Sequence, residues 1–144
     1  TIKSFINFQK IGTEINNDAE KDDENTSFIY KPNQVLISIS PKDYSFILED
    51  HMSELFRIFA STGLKVHLMQ NSALSFSVCA HIKQPLIPKL LNALSEKYLV
   101  KYNEKVDLLT IRHYKNYQLP EFLSNKEILL QQQSRATIRY VLKK

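Results

Sequence analysis

Between Val35 and His113 the apolar residues switch repeatedly between two periods, and that order admits few folds. Val35-Leu-Ile-Ser-Ile-Ser40 is rich in β-branched residues, with Val35, Ile37 and Ile39 on one face, and Pro41 ends it. After an irregular stretch from Lys42 to Leu48, Met52, Leu55, Phe56 and Phe59 recur at helical spacing. Asp50 is placed to cap the first turn of that helix, and Gly63 to end it. Leu64, Val66 and Leu68 then alternate with Lys65, His67 and Met69. After a turn at Gln70-Asn71-Ser72, the residues Leu74, Phe76, Val78 and Ala80 alternate with Ser75, Ser77 and Cys79. Pro85 and Pro88 open a second helix with a stripe of Ile87, Leu90, Leu91 and Leu94. Strand pattern returns at Leu99 to Tyr102, with a turn expected at Asn103-Glu104 and a strand from Val106 to His113.

Strand, helix, strand, strand, helix, strand is the split βαβ order, an α+β ferredoxin-like βαββαβ unit with two helices on one face of an antiparallel sheet. The remainder, from Asn116 to Lys144, offers a short helix around Leu119 to Leu130 and a strand at Ala136 to Leu142. With Val106 to His113 this makes a shortened second unit packed on the first. Asn16 to Thr26 (NNDAEKDDENT) reads as a polar, acidic loop, preceded by a short segment with a turn at Gly12-Thr13. The expected organisation is a junction with its acidic loop over 1–30, a first unit over 31–105 and a reduced second unit over 106–144.

The hydrophobic share of 43% excludes disorder of the whole chain. No apolar run approaches the ~20 residues of a membrane span, and no signal peptide is evident, so no membrane partner is expected. A start at Thr1 points to a piece of a longer protein. One cysteine, Cys79, excludes an internal disulfide and suits a reducing cytoplasm. Residues 1–30 hold three lysines against six acids, whereas 31–144 hold sixteen Lys or Arg against nine acids. The basic residues are scattered and form no block, so they read as a solvated surface rather than a nucleic-acid site.

Catalytic constellations are not found. Glycine-rich phosphate loops are excluded by a glycine count of two, Gly12 and Gly63. His51, His67, His81 and His113 do not share metal-ligand spacing. Cys79, on an alternating strand, reads as an inert small side chain. A polar edge does stand out. Lys65 and His67 face away from the core side of their strand, and Gln70, Asn71 and Ser72 follow at its end. The first turn of the first helix, near Asp50 to Ser53, offers free backbone N–H groups to a carboxylate. Such groups beside amides and hydroxyls suit a small amino acid, although strand ends are commonly polar without any ligand.

The run from Val35 to Val78, VLISISPKDYSFILEDHMSELFRIFASTGLKVHLMQNSALSFSV, resembles the first ACT domain of aspartate kinases. LVKYNEKVDLLTIRHY resembles the handover from the first ACT unit to the second. INFQKIGTEI resembles the junction leaving the kinase domain, matching at Asn7, Gly12, Thr13 and Ile15, with Phe8 and Ile11 in place of prolines. The resemblance implies a regulatory region without catalytic residues, detached from a cytoplasmic enzyme that phosphorylates the aspartate side chain for amino-acid biosynthesis. ATP and Mg would belong to the absent kinase domain, and no cofactor or metal to this part.

The resemblance further implies a homodimer paired through ACT units, with lysine or threonine bound at the interface as feedback inhibitor. By matching, effector positions fall on Glu49, Asp50, His51, Met52 and Ser53, and on Lys65, Val66, His67, Gln70, Asn71 and Ser72. Two departures weaken lysine. His67 stands where lysine-sensitive members tend to be acidic, and Ser72-Ala73 stands for a Ser-Glu pair, while Gln70-Asn71 is nearer to threonine-responsive members. A dimerisation module that has lost effector binding is one alternative. An RNA-binding ferredoxin-like sheet is another, opposed by Phe76 sharing a face with Leu74 and Val78.

Overall fold

The computed structural model describes residues 1–15, 26–114, 123 and 125–143. The elements are β1 (Ser27–Pro41), α1 (Glu49–Thr62), β2 (Lys65–Asn71), β3 (Phe76–His81), α2 (Ile87–Ser95), β4 (Tyr98–Arg112), β5 (Ile128–Gln133) and β6 (Thr137–Leu142). They form one six-stranded sheet in the order β2-β3-β1-β4-β6-β5, every neighbouring pair antiparallel. The βαββαβ order expected from the sequence is present, with a second, smaller unit beyond it.

Two strands are much longer than their local pattern suggests. β1 starts at Ser27 rather than Val35, and β4 runs through the turn expected at Asn103-Glu104. The two pair from Ser27↔Arg112 to Pro41↔Tyr98. In the middle of this ribbon, β1 carries one extra residue between Lys31 and Gln34, and β4 one extra between Val106 and Asn103. Asn33 (φ 56°) and Lys105 (φ 55°) take the left-handed conformation such bulges use. Because side chains alternate with period two, an extra residue on each strand turns both over together.

The result is a sheet with different cover on its two parts. In the first unit Val35, Ile37 and Ile39 of β1 and Phe76, Val78 and Ala80 of β3 pack under Leu55 and Phe59 of α1 and Leu90 and Leu94 of α2. Each fully buried leucine or phenylalanine contributes roughly 1.5–3 kcal/mol. On the opposite face Leu36, Leu68 and Cys79 meet Val106, Leu108 and Val141 of the second unit. The sheet therefore curls back on itself, and Gln132 Nε2 of β5 donates to the Met69 carbonyl of β2 at 2.9 Å. Burial pushes the Cys79 thiol up to about 12, in keeping with an inert side chain. The outer face of the second unit buries Leu109, Ile111, Ile138 and Tyr140 beside Leu123.

Several expectations change. Leu68 does not share a face with Val66, because a bulge between them puts Leu68 opposite Cys79 on the other side of the sheet. Phe56 is 40% exposed and packs edge-on against Phe59 and Phe76 at the rim of the core. Leu74 lies in the β2–β3 turn, 54% exposed, and Leu91 is only half-buried. The helix expected around Leu119 to Leu130 falls partly outside the described residues, and its last three, 128–130, lie in β5, where Leu129 and Leu130 find a core to cover. Most of the acidic loop, 16–25, also lies outside the described residues.

α1 ends as its glycine implies. Gly63 is left-handed (φ 69°), its N–H reaches the Ala60 carbonyl, and Leu64 N–H reaches that of Phe59 at 3.0 Å. At the ribbon bulge, Asp107 is 3% exposed and accepts the Asn33 N–H at 3.2 Å and the Tyr30 hydroxyl at 2.5 Å. That carboxylate beside the phenol holds the Tyr30 pKa above its ordinary value. We expect Asp107→Ala to lower unfolding free energy by about 1–3 kcal/mol, since it removes two hydrogen bonds at the bulge. Urea denaturation with circular dichroism measures this, and a loss below half a kilocalorie would remove Asp107 from its clamping role.

Candidate functional site

The chain path fixes where the expected site residues fall. β1 leads through the loop 42–48 into α1, which runs back antiparallel to β1, and Gly63 starts β2 in the same direction as β1. The start of α1 and the end of β2 thus lie at one end of the unit. Ile47 N–H donates to the Ala73 carbonyl at 2.9 Å, tying the loop to the β2–β3 turn. Glu49, Asp50, His51, Met52 and Ser53 are brought near Gln70, Asn71 and Ser72 by that topology. Lys65, Val66 and His67 lie at the other end of β2, about 15 Å away at the rise of a strand.

At the α1 end, Leu48 rather than Asp50 is the N-cap, and no side chain caps it. His51 reaches back instead, its Nδ1 accepting the Leu48 N–H at 3.3 Å. Glu49 and Asp50 stand in the first turn, where carboxylates complement the helix dipole. Met52 turns toward the core and Ser53 is exposed. The Ser72 hydroxyl is held within its own turn, donating to the Ser75 carbonyl at 3.0 Å and accepting the Ser75 N–H at 3.1 Å. Gln70 and Asn71 are exposed. At the other end, Val66 packs on the main core, and His67 Nδ1 lies 3.1 Å from Lys31 Nζ. Burial and the nearby Lys31, His81 and Lys65 lower the His67 pKa, so a neutral ring accepts from the ammonium.

Asp50 and His51 line a cleft of about 440 Å³ together with Asp43, Glu54, Glu96 and Tyr98. Four acids face two lysines there, and both lysines are engaged. Lys42 Nζ donates to the Ser95 carbonyl at 2.7 Å and the Glu96 carbonyl at 3.2 Å, closing the C-terminus of α2. Lys97 pairs with Glu54 at 2.6 Å. The other Glu54 oxygen accepts the Tyr98 hydroxyl at 3.1 Å. Burial and this carboxylate push the Tyr98 phenol up to about 12. Hydrogen bonds from Ser45 hold the Asp43 carboxyl below its ordinary range. The cleft thus gathers four carboxyl groups beside the N-terminal turn of a helix. Sequence reading missed Asp43, Glu54, Glu96 and Tyr98. Asp50 and Glu54, four apart on α1, carried a local signal, whereas Glu96 and Tyr98 arrive from the far end of α2 and from β4.

Among the described residues no group of three or more potential metal ligands comes together. No helix among them is long and apolar enough to cross a membrane. The Lys97 ammonium is the main reason the Glu54 carboxyl sits below its ordinary value of 4.5. A depressed folded-state pKa stabilises above the unfolded pKa, and that stability is lost as pH falls through the folded value. Lys97→Ala is therefore expected to destabilise the chain at pH 7, with the difference closing as pH falls below 4.5. Urea midpoints at pH 7 and pH 3 test this; an equal loss at both would assign the effect to packing.

No family model and no curated protein sequence matches the chain. Solved structures do. A Porphyromonas gingivalis domain assigned as the C-terminal regulatory domain of an aspartate kinase superposes with TM-score 0.66 at 18% identity, covering 83% of this chain and 86% of that one. Clostridium acetobutylicum aspartate kinase gives 0.65 at 13% identity over 81% of this chain. Escherichia coli aspartokinase III, solved in complex with lysine and aspartate, gives 0.62 at 17% identity over 80%. The chain spans 30% and 28% of these two enzymes. At such identities the likeness establishes architecture: this chain has the fold of the regulatory domains of aspartate kinases.

Proposed function

We propose that the chain is the regulatory region of a cytoplasmic aspartate kinase and that it binds an amino-acid end product, lysine or threonine, for feedback inhibition. The observation that carries this reading is the acidic cleft at the start of α1, where Asp43, Asp50, Glu54 and Glu96 meet the first helical turn. Backbone N–H groups of that turn suit an α-carboxylate, and the carboxylates suit ammonium groups. The excess of acid favours lysine, whose side chain adds a second ammonium. Neither His67 nor Ala73 lines this cleft, so both count less against lysine than their positions in the sequence suggest. A homodimer through these units, each linked to its own kinase domain, transmits the signal when the effector favours one arrangement over the other.

One observation supports a second reading, a dimerisation module without effector. The Ser72 hydroxyl is occupied within its own turn, so a ligand at that position has to displace a formed bond.

Isothermal titration with lysine, threonine and methionine decides between the two. Lysine is expected to bind, and the Asp43→Asn, Asp50→Asn double variant to weaken it about tenfold or more through lost charge-assisted contacts. Silence with all three amino acids, alongside a dimer in light scattering, would leave the dimerisation role alone.

A further inference from the structure

The end of the sheet opposite the acidic cleft is basic. Lys31 of β1, Lys65 and His67 of β2, His81 of β3, Lys83 after it and Lys105 of β4 converge around the ribbon bulge. Among the described residues none of the six forms an ion pair with a carboxylate. The neighbouring acids of β4 point their function elsewhere: Asp107 clamps Asn33 and Tyr30, and Glu104 is exposed.

Beside this cluster lies a second cavity of about 480 Å³, a size suited to one small molecule. His81, Lys83 and Lys105 line it, and Val35, Ile82 and Ile87 give it an apolar wall. Both left-handed bulge residues, Asn33 and Lys105, also line it, and such conformations concentrate where a chain is shaped for binding. Gln34, 5% exposed, forms another part of the wall. Its Nε2 donates to the Pro32 carbonyl at 2.7 Å, which fixes the amide orientation and leaves Oε1 a buried acceptor with no donor. That acceptor is itself closed off from solvent, so the argument for a ligand rests on the cavity and the basic side chains at its rim.

We propose that this cavity binds a small phosphate-bearing molecule with an apolar body, the phosphate between His81, Lys83 and Lys105 and the body on Val35, Ile82 and Ile87. Lysine ammoniums act as point charges that serve a multi-oxygen anion from several sides, whereas the bidentate fork that matches a carboxylate needs arginine, and none lines the cavity. Lys83 and Lys105 flank a concavity and do not run as a stripe, which separates this site from a groove tracking a nucleic-acid backbone. The site is independent of the proposed effector cleft and lies at the other end of the sheet.

Amide resonances of the 144-residue chain, followed during titration with ADP, adenosine and inorganic phosphate, test the proposal. ADP is expected to move Lys83, Gln84, Ile87 and Lys105 saturably, while adenosine at the same concentrations leaves them in place. Phosphate is expected to move the same amides more weakly. The exposed pair Lys83→Glu, Lys105→Glu should weaken ADP about tenfold or more with an unchanged melting temperature. Lys83→Gln alone, milder toward the fold, should weaken it about threefold. The proposal is overturned if ADP gives no saturable shift, if adenosine binds as well, if either folded variant binds like the parent, or if single-stranded RNA binds more tightly than ADP.

Discussion

The pairing of β1 with β4 is the constraint on which the remaining structure rests. These strands are each fifteen residues long and hold hands over most of their length, from Ser27↔Arg112 to Pro41↔Tyr98. One half of the ribbon is the centre of the helix-covered unit, and the other half is the wall of the second unit. Every other strand attaches to one side of this ribbon: β3 and β2 beside β1, β6 and β5 beside β4. Because two-stranded ribbons are marginal alone, the ribbon needs both flanks, and each flank needs the ribbon for its register.

The curl of the sheet follows from this arrangement. On the face of the first unit not covered by helices, Leu36, Leu68 and Cys79 lie near the bulge, and the second unit covers that part with Val106, Leu108 and Val141. Farther along, the same face carries Ser38 and Ser77, whose hydroxyls lie 2.9 Å apart, and beyond them the exposed Leu99 opposite Ser40. Gln132 closes the two edges with one side-chain bond to Met69. The edge strand β2 is thereby partly covered by its own chain, a common protection of exposed edges. Charge then separates along the first unit. Carboxylates collect where α1 starts, and lysines and histidines collect around the bulge at the opposite end.

What could be read from the sequence was whatever depends on neighbours in the chain. The alternation of Val35, Ile37 and Ile39, the stripe of Leu55 and Phe59, and the Gly63 stop all survive because period and glycine conformation are local properties. What escaped depends on partners far away in sequence. Residues 27–31 include the strand-favouring Phe28, Ile29 and Tyr30, but their continuity with β1 across the bulge is set by pairing with 108–112. Leu68 changes face through a bulge set by its pairing to Cys79. Of the two stretches singled out in the sequence, Glu49 to Ser53 and Lys65 to Ser72, only the first reaches the acidic cleft, through Asp50 and His51. Lys97 and Tyr98, which shape the cleft around Glu54, follow α2 and could not be linked to α1 by spacing.

The paired bulges carry a consequence for how this chain can change length. Each extra residue is cancelled by the other, so Lys31↔Leu108 and Leu36↔Asn103 sit in the same frame on either side of the interruption. Deleting one residue near Asn33 alone would leave β4 turned over and β1 not, setting apolar side chains of one strand beside solvent-facing ones of the other. Insertions and deletions in this ribbon are therefore tolerable only as matched events on two stretches some seventy residues apart. A fold that tolerates ordinary substitutions over much of its surface is, at this one crossing, locked in its reading frame.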